Sequence, residues 1–495
     1  MRISLHDYVT DPLLPQKDGV NLAHENIATL LRQSHEQGLE VAFHDFNRLL
    51  GDDAYARKTL DGVHCVISNV GPHAHYYFYL REKLGLDFRI IRDVRTAIWS
   101  SYLFQEYLCA PYLRPSDLLM VASHYTRGIY EKLFPHLASY TTFRCYPLTV
   151  CFPETPPARP VAGDTLTLGY VGRLSEDKNF PDLVELLITL NREYPGRYKL
   201  LACGDVHSPS CDPDTLRRHI ANHLGNGDFF EYLPARANGQ IWELYGRFDL
   251  MVFPSTSNLE TLGRVLIEAS YAGVPVICGA HAAAPELMPA ASLCRVSYLH
   301  NESFSSHYDH SLGRIDIADM ARAVTSGRLM PPSCHLDYQS HPEKYLAVLR
   351  TACSRQMLAG ENFSLHPAQR AFIDALEASL PPPLSTAEAD ELIANLIPWF
   401  IGVQNKEYPE RPQLLSRLLA LSRHPERTQR FIAKAEATRG DFTNVGGIDI
   451  ELCHVAGFYP EFRLASEFAS GPWEDLSDCI TLNNDDAVLP ARQEN

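Results

Sequence analysis

The sequence predicts an α/β protein with two parallel-sheet domains that face a common cleft and carry a largely helical C-terminal extension. Strand-length apolar segments alternate with helix-length segments over residues 1–155, and the alternation resumes over residues 160–330. A proline-rich stretch, Pro153–Pro160, separates the two series. Over residues 331–495 the alternation stops and the pattern becomes mixed and mostly helical. These features predict three units with those boundaries.

In the N-terminal series, the apolar periodicity predicts a helix over residues 22–37. It predicts strands near residues 41–43, 65–68, 88–91 and 118–123. In the second series, strands are predicted at 166–171, 198–203, 229–232, 250–253 and 274–278, with helices at 180–194, 213–224 and 262–272. Ligands of such sheets bind at the carboxyl ends of the strands, so the expected site lies in the cleft between the domains.

Composition excludes several classes of protein. The chain of 495 residues is 45% hydrophobic and carries a formal net charge of −16, which disfavours sequence-independent binding of nucleic acid. Twelve cysteines form no C-x-x-C pair, a pattern that favours reduced thiols and a cytoplasmic protein. The sequence shows no signal peptide and no apolar run long enough to span a bilayer, although peripheral membrane contact is compatible with it.

The strongest chemical pattern lies in residues 254–269. Glu260 falls in a loop after a predicted strand, and Glu268 follows eight residues later inside a predicted helix. Gly263 permits close approach of a ligand to the backbone, and a helix that starts near Thr261 presents free N–H groups suited to phosphate. One helix start is therefore expected to touch sugar, phosphate and nucleoside together.

A second pattern is the loop of residues 172–179, which follows the first strand of the second domain. Arg173 and Lys178 flank this loop over the same cleft. Two fixed cations can hold a diphosphate and stabilise the charge that develops as it leaves, which makes a divalent metal unnecessary. The sequence therefore predicts no metal site and no cofactor.

These motifs, in this order, resemble the retaining glycosyltransferases of the GT-B fold, specifically glycosyltransferase family four. The matching segments are Gly172-Arg173-Leu174 with Lys178-Asn179, Pro254-Ser255 with Glu260 and Glu268-Ala269, Gly273-Val274-Pro275-Val276-Ile277, and Pro285-Glu286. The resemblance covers residues 165–290 at the level of motifs and the first 150 residues only as topology. It implies two Rossmann-like domains, with the donor mainly on the second and the acceptor mainly on the first.

The resemblance also implies the roles of individual residues. Arg173 and Lys178, beside Gly172, would bind the diphosphate of a UDP- or GDP-sugar. Glu260 would contact the donor sugar, and Glu268 would hold the ribose. The remaining implied donor contacts are the amides of Thr261, Leu262 and Gly263, the base pocket near Tyr232 and Leu233, and a glycine-rich turn whose best candidate is Gly19.

One departure from the family pattern concerns the acceptor side. Many members place a histidine after the fourth N-domain strand, where this chain has Arg92-Asp93. Asp93 is a candidate catalytic residue there, and the alternative interpretation is a structural carboxylate paired with Arg92 or Arg95.

Glu286 has two equally weighted interpretations, a cap of a short helix and a role in the donor cleft. Asp212-Pro213-Asp214 matches the spacing of a metal-binding Asp-x-Asp, but we interpret it as a helix-starting turn.

The function predicted from the sequence is a retaining, metal-independent transfer of a sugar from a nucleotide sugar to a hydroxyl. The acceptor is unspecified and could be a glycan, a lipid, a small molecule or a protein. Alternatives on the same fold are a sugar-nucleotide epimerase and a phosphorylase. An alternative from another class is a non-catalytic nucleotide-sugar-binding partner of an active transferase.

Overall fold

The computed structural model describes residues 1–7, 19–35, 38–69, 74–95, 106, 109, 112–133, 140–159, 163–298, 311–339, 341–354, 362–378, 385, 387, 443–445 and 448–449. All structural statements below refer to these residues.

The N-terminal domain is built on a six-stranded parallel sheet with the strand order β2-β1-β3-β4-β5-β6. Its elements are β1 (Arg2–His6), α1 (Gly19–Gln33), β2 (Glu40–His44), α2 (Phe46–Gly51), α3 (Asp53–Leu60), β3 (Cys65–Ser68), α4 (His75–Leu84), β4 (Arg89–Val94), β5 (Leu118–Val121), α5 (His124–Leu133) and β6 (Thr141–Arg144). The central strands β3 and β5 are buried along their whole length because helices cover both faces.

Two strands of this sheet were missed by the sequence analysis, and each has a physical reason. β1 carries Ser4 and His6, polar residues that interrupt an apolar run, yet both side chains are buried. Ser4 satisfies its hydroxyl by a 2.7 Å contact with His44 Nδ1 on the neighbouring strand. β6 lies at the edge of the sheet, and its sequence is more polar than that of the inner strands because an edge strand needs fewer apolar side chains.

The second domain repeats the architecture with a six-stranded parallel sheet in the order β12-β11-β10-β7-β8-β9. Its elements are β7 (Leu166–Val171), α6 (Phe180–Glu193), β8 (Tyr198–Cys203), α7 (Pro213–Leu224), β9 (Phe230–Leu233), α8 (Ile241–Tyr245), β10 (Leu250–Phe253), α9 (Arg264–Tyr271), β11 (Val276–Gly279), α10 (Ala284–Leu287) and β12 (Leu293–Cys294). A short antiparallel pair, β13 (Val296–Tyr298) and β14 (Gly313–Ile315), follows, with α11 (Ile317–Thr325). The predicted fold class of two Rossmann-like domains is confirmed.

One predicted helix boundary is wrong. The helix expected to start near Thr261 begins only at Arg264, after Gly263. Gly263 has a φ of +73°, a left-handed conformation that right-handed helical backbone cannot include, so the helix starts after it. The loop before α9 is therefore longer than the pattern indicated.

The described part of the C-terminal extension contains three helices and a short antiparallel pair of strands. These are α12 (Cys334–Gln339), α13 (His341–Cys353), α14 (Pro367–Ala378), β15 (Thr443–Val445) and β16 (Ile448–Asp449). The apolar side of α13, including Tyr345 and Leu349, joins the hydrophobic core of the N-terminal domain. Among the helices described, none is long and apolar enough to cross a membrane.

Candidate functional site

The carboxyl edges of the two parallel sheets meet at a direct contact between the domains. The Thr261 hydroxyl, in the loop before α9, donates a hydrogen bond of 3.3 Å to the backbone oxygen of Arg95, which follows β4. The Ser123 hydroxyl, just after β5, donates a hydrogen bond of 2.9 Å to the backbone oxygen of Thr261. The predicted donor loop thus forms one wall of an interdomain cleft, and residues after β4 and β5 form the other.

The strands β7 and β8 end in two glycines whose backbones approach each other closely. A Cβ added to Gly204 would lie 1.8 Å from the carbonyl oxygen of Gly172, and both residues have a positive φ, +157° and +147°. Only glycine satisfies both conditions at Gly204. This close approach sets the direction in which the loop of residues 172–179 leaves the sheet.

Within that loop, Lys178 is aimed at the donor loop by its neighbour Asn179. The buried Asn179 amide donates hydrogen bonds to the backbone oxygen of Pro254 at 3.0 Å and of Gly313 at 3.1 Å, and to the Thr256 hydroxyl at 2.9 Å. Asn179 adopts a left-handed φ of +53°, which asparagine tolerates better than most residues. The Lys-Asn pair of the motif therefore has a positional reason, because the asparagine holds the loop that carries the lysine.

Lys178 and Glu260, both predicted site residues, contact each other directly. Lys178 Nζ lies 2.8 Å from Glu260 Oε2, and the backbone N–H of Gly263 donates to Glu260 Oε1 at 2.9 Å. Burial opposes ionisation of Glu260, but the charge and hydrogen bond of Lys178, together with His281 and the Gly263 N–H, outweigh it and lower the pKa of the carboxyl. Glu260 is therefore an anion that stands at the start of α9 with a cation beside it.

Gly263 departs in part from its expected role. The sequence predicted that its amide would contact sugar and phosphate, whereas the structure shows this N–H donating to Glu260. Leu262 is buried in the domain core, and Thr261 touches the opposite domain through its hydroxyl and its carbonyl. The donor contacts of these three amides stay predictions.

Arg173 lies beside the same loop but makes its ion pair with a different residue. Its Nη2 is 3.2 Å from Asp177 Oδ2. Burial opposes ionisation of Asp177, but the charges of Lys178 and Arg173 and hydrogen bonds from Ser175 and Ser257 together outweigh it and lower its pKa. The two residues predicted to bind the diphosphate thus lie on one loop, and each is paired with a carboxylate: Arg173 with Asp177, and Lys178 with Glu260.

Glu268, the predicted ribose ligand, is buried and has both oxygens engaged. Arg264 Nε, one helical turn before it, lies 2.5 Å from Glu268 Oε1, and the Tyr245 hydroxyl donates to Oε2 at 2.7 Å. Each carboxylate oxygen has a second lone pair, so these contacts leave acceptor capacity for a diol. Arg264 and Tyr245 were missed by the sequence analysis, and only the i, i+4 spacing of Arg264 and Glu268 could have indicated their pairing.

The remaining predicted donor residues lie at strand and helix ends of the cleft. Tyr232 and Leu233 are half-buried at the end of β9, and the Tyr232 hydroxyl donates to the backbone oxygen of Gly204 at 3.1 Å. Gly19 is the first residue of α1, and the preceding residues of its predicted turn, Lys17 and Asp18, lie outside the described residues.

Asp93 takes the arrangement that the sequence analysis offered as the alternative to catalysis. Its carboxylate forms an ion pair with Arg95 and is 1% exposed. Burial raises the pKa of the Asp93 carboxyl, and the charge of Arg95 opposes that rise. Arg92 is occupied elsewhere, 2.6 Å from Glu106 Oε1. A catalytic role of Asp93 stays a prediction.

Glu286 caps a helix, but in the other domain. Its carboxylate accepts hydrogen bonds from the backbone N–H groups of His124 at 3.0 Å and Tyr125 at 3.2 Å, at the start of α5. Gln369 of α14 donates to the same carboxylate at 3.0 Å and to the backbone oxygen of Ala282 at 2.8 Å. Glu286, for which the sequence left a helix cap and a role in the donor cleft as equal alternatives, therefore joins both domains and the C-terminal extension.

The part of the chain that the structure describes contains no cluster of metal-ligating side chains. No group of three or more His, Cys, Asp or Glu side chains there is placed to hold an ion. The Asp-x-Asp segment is the predicted helix start, since the Asp212 carboxylate accepts from the backbone N–H of Thr215 at 2.8 Å and Pro213 opens α7.

Comparison with known proteins places similarity in the second domain. Residues 152–293 match the family described as Glycosyl transferases group 1. A D-inositol 3-phosphate glycosyltransferase from Mycolicibacterium smegmatis is 36% identical over 126 residues, which are 25% of this chain and 27% of the relative. One from Actinosynnema mirum is 27% identical over 191 residues, 38% of this chain and 44% of the relative. The chain thus spans less than half the length of these relatives.

Two solved structures match the chain at low sequence identity. HepE from Anabaena in complex with UDP is 14% identical, with a TM-score of 0.49 over 71% of this chain and 99% of that one. Sucrose-phosphate synthase from Thermosynechococcus elongatus is 15% identical, with the same TM-score and the same coverage of both chains. The predicted resemblance to the GT-B glycosyltransferases is confirmed by the family match, which covers residues 152–293.

Proposed function

We propose that the protein is a glycosyltransferase that moves a sugar from a nucleotide-diphosphate sugar to a hydroxyl acceptor, with retention of anomeric configuration and without a metal. The observation that carries the proposal is the contact of Lys178 with Glu260 at the start of α9, within the segment that matches the glycosyltransferase family. A carboxylate that accepts sugar hydroxyls and a cation that binds diphosphate stand side by side there, as the transfer of a sugar from such a donor requires.

In the proposed reaction, the bond between the anomeric carbon and the donor phosphate oxygen breaks. The acceptor oxygen bonds to that carbon from the same face, and its proton passes to the leaving diphosphate. Arg173, Lys178 and the N–H groups at the start of α9 stabilise the diphosphate as its charge develops. Contact between the domains at Thr261 and Ser123 excludes water, which limits hydrolysis of the donor.

Donor binding is tested by calorimetry of the full chain with UDP, GDP, ADP and their sugars. A true donor nucleotide binds the native state and raises the unfolding temperature by mass action. Glu268→Gln should weaken that binding, while the exposed control Glu193→Gln, at the C-terminal end of α6, should retain most of it. Equal affinities in all three proteins would contradict the ribose assignment.

Transfer is tested with the best donor and a panel of hydroxyl acceptors. Release of nucleoside diphosphate that depends on an acceptor, with an α-linked product from an α-linked donor, supports the proposal. Processing of the donor without any acceptor would favour an epimerase, and dependence on inorganic phosphate would favour a phosphorylase. Donor binding without turnover across the panel would favour a non-catalytic partner.

A further inference from the structure

Two buried guanidinium groups, one from each domain, converge on the same tyrosine in the cleft. Arg95 of the N-terminal domain lies with its Cζ 4.5 Å from the centre of the Tyr146 ring. Arg264, the first residue of α9, lies close enough to interact electrostatically with the Tyr146 hydroxyl. The hydroxyl of Thr261, three residues before Arg264, bonds to the Arg95 backbone. The two cations therefore lie near the same tyrosine from the two sides of the domain boundary.

Each arginine uses only part of its donor capacity. Arg95 pairs through Nη2 with Asp93, and Arg264 pairs through Nε with Glu268. Among the described residues, Arg95 Nε and both Nη1 and Nη2 of Arg264 are buried without a hydrogen-bond partner. The Arg95 side chain is 8% exposed and that of Arg264 is 14% exposed, so bulk water does not readily satisfy these groups.

Unpaired buried donors of this kind are costly, and guanidinium donors more so because they carry charge. The cost is removed when a ligand supplies acceptors. A guanidinium presents its N–H groups as a planar fork, which matches the oxygens of a phosphate in two parallel hydrogen bonds. The hydroxyl of Tyr345, which contacts Arg95 electrostatically, is another buried group without a partner in the described part of the chain.

We propose that Arg95 and Arg264 form a clamp for a phosphate group that lies in the cleft, with Asp93 and Glu268 as the carboxylates that position the two guanidinium groups. The clamp is separate from Arg173 and Lys178, which sit on a different loop and have their own carboxylate partners. It rests on the proposed function, because that function brings phosphate-bearing substrates into the cleft. The phosphate belongs either to the donor diphosphate or to an anionic acceptor, and both sources share this chemistry.

The role of Glu268 changes under this proposal. It acts partly through Arg264, since its Oε1 holds the guanidinium at 2.5 Å and so directs the unpaired Nη groups. In the N-terminal domain, Asp93 holds the guanidinium of Arg95 in the same way. The carboxylate found where relatives place a histidine is thereby a positioning residue for an anion site.

The test uses the full chain and the variants Arg95→Gln, Arg264→Gln and Arg264→Lys, with Arg322→Gln as an exposed arginine control. Circular dichroism verifies that each variant folds. Calorimetry measures binding of UDP, GDP and ADP and of the corresponding nucleosides, and then of inorganic phosphate to protein saturated with the best nucleotide. Arg264→Lys keeps the charge but loses the planar fork, so it should recover only part of the binding.

If the clamp holds the donor, both glutamine variants weaken nucleoside diphosphate binding by about tenfold or more and leave nucleoside binding unchanged. If it holds an acceptor phosphate, nucleotide binding is unchanged and inorganic phosphate binding to the saturated protein falls by the same factor in both variants. Nucleotide and phosphate binding equal to those of the wild type in both glutamine variants would overturn the clamp. Failure of the wild type to bind any nucleotide would instead overturn the proposed function, and the phosphate titration of the free protein would still test the clamp.

Discussion

The contact between Lys178 and Glu260 couples the charge of the site to its stability. Both side chains are 15% exposed, and Glu260 has a second fixed donor in the Gly263 amide. Removal of one partner from a largely buried pair leaves the other charge uncompensated. The proposed activity and the stability of the fold therefore depend on the same pair. Changing one residue or both separates the effect on activity from the effect on stability.

Lys178→Met should lower both stability and activity. The unpaired Glu260 carboxylate should reduce the free energy of unfolding by about 3 kcal/mol, measured by urea denaturation. Loss of the cation at the leaving diphosphate should lower kcat by about 10² to 10³. The double variant Lys178→Met/Glu260→Gln should regain part of the stability and none of the activity, with the exposed Lys58→Met as control. A double variant as unstable as the single one would contradict the pairing.

At the level of residues, sequence reasoning succeeded where a motif fixes the spacing along the chain. Lys178, Glu260 and Arg173 all lie at the cleft edge of the second domain, as their place after strands indicates. Asn179 shows the limit. Its partners are set by how loops distant in sequence fold against each other, as with Gly313, and no local pattern encodes that contact.

At the level of elements, the ends of β7 and β8 depend on backbone that no side chain can occupy. Gly204→Ala should reduce the free energy of unfolding by about 3 kcal/mol, because the added Cβ would overlap the Gly172 carbonyl and the φ of +157° is unfavourable for alanine. It should also weaken nucleotide binding by displacing the loop of residues 172–179.

The matched control is Gly239→Ala. No heavy atom lies within 4 Å of a Cβ at Gly239, and this glycine sits in a short 3-10 turn. Denaturation should show Gly239→Ala within about 1 kcal/mol of the wild type, since alanine reduces the entropy of the unfolded chain at no steric cost. Equal stability of the two alanine variants would show that the loops after β7 and β8 can move apart to accommodate a Cβ at Gly204, which would contradict the prediction.

The first two strands and α1 carry a group of buried histidines whose charge state links stability to pH. His44, at the end of β2, lies 2.7 Å from both the Ser4 hydroxyl and the Tyr77 hydroxyl through its two ring nitrogens. The rings of His6 and His24 stand 4.3 Å apart. Burial lowers the pKa of His24 to about 4 and that of His44 to about 3, so both are neutral in the folded protein near neutral pH.

Because the unfolded chain takes up protons on these histidines below its pKa of about 6.5, stability should fall as pH falls from there toward 4. Each buried histidine contributes a slope of up to about 1.4 kcal/mol per pH unit in that window. His44→Gln should be less stable than the wild type at pH 7.5, and urea denaturation should show that gap narrowing at pH 5. The exposed His223→Gln serves as control, and a gap independent of pH would contradict the neutral assignment.

The elements also show why periodicity predicted most strands but missed β1 and misplaced the start of α9. β7, β8 and β10 are apolar runs bounded by glycine or proline, and their predicted limits are those of the structure. β1 was missed because its buried Ser4 hydroxyl is satisfied by His44 of β2, a partner 40 residues away. The start of α9 was misplaced because Gly263 acts through its left-handed backbone, which a hydrophobic pattern does not report.

At the level of the whole molecule, the order of parallel-sheet domains followed from alternation and the proline-rich linker. How the domains meet did not follow from the sequence, because the polar contacts between them join single residues that no local pattern pairs. Glu286 is the main example. It belongs to α10 of the second domain, yet it caps α5 of the first and accepts from Gln369 of the C-terminal extension. The same helix α14 presents Phe372 to Tyr125 of one domain and His281 of the other.

This arrangement predicts that Glu286 holds the two domains together. In Glu286→Ala the first N–H groups of α5 lose their acceptor and Gln369 loses one of its two partners, so domain separation should become less costly. Small-angle X-ray scattering of the unliganded variant should show a larger radius of gyration than the wild type. Nucleotide affinity should change little, because the predicted donor contacts other than Gly19 lie within the second domain, whereas KM for the acceptor should rise.

The exposed carboxylate Glu231, replaced by alanine, controls for loss of a negative charge and should leave the radius of gyration unchanged. Gln369→Ala should reproduce part of the Glu286 effect, since it removes the extension from the contact but leaves the cap of α5 in place. Saturating nucleotide and acceptor together should return Glu286→Ala toward the wild-type radius, because substrates that contact both domains favour closure by their binding energy. Identical scattering of Glu286→Ala and the wild type in the absence of ligand would show that apolar contacts such as those of Phe372 suffice to hold the domains, and Glu286 would then be only a helix cap.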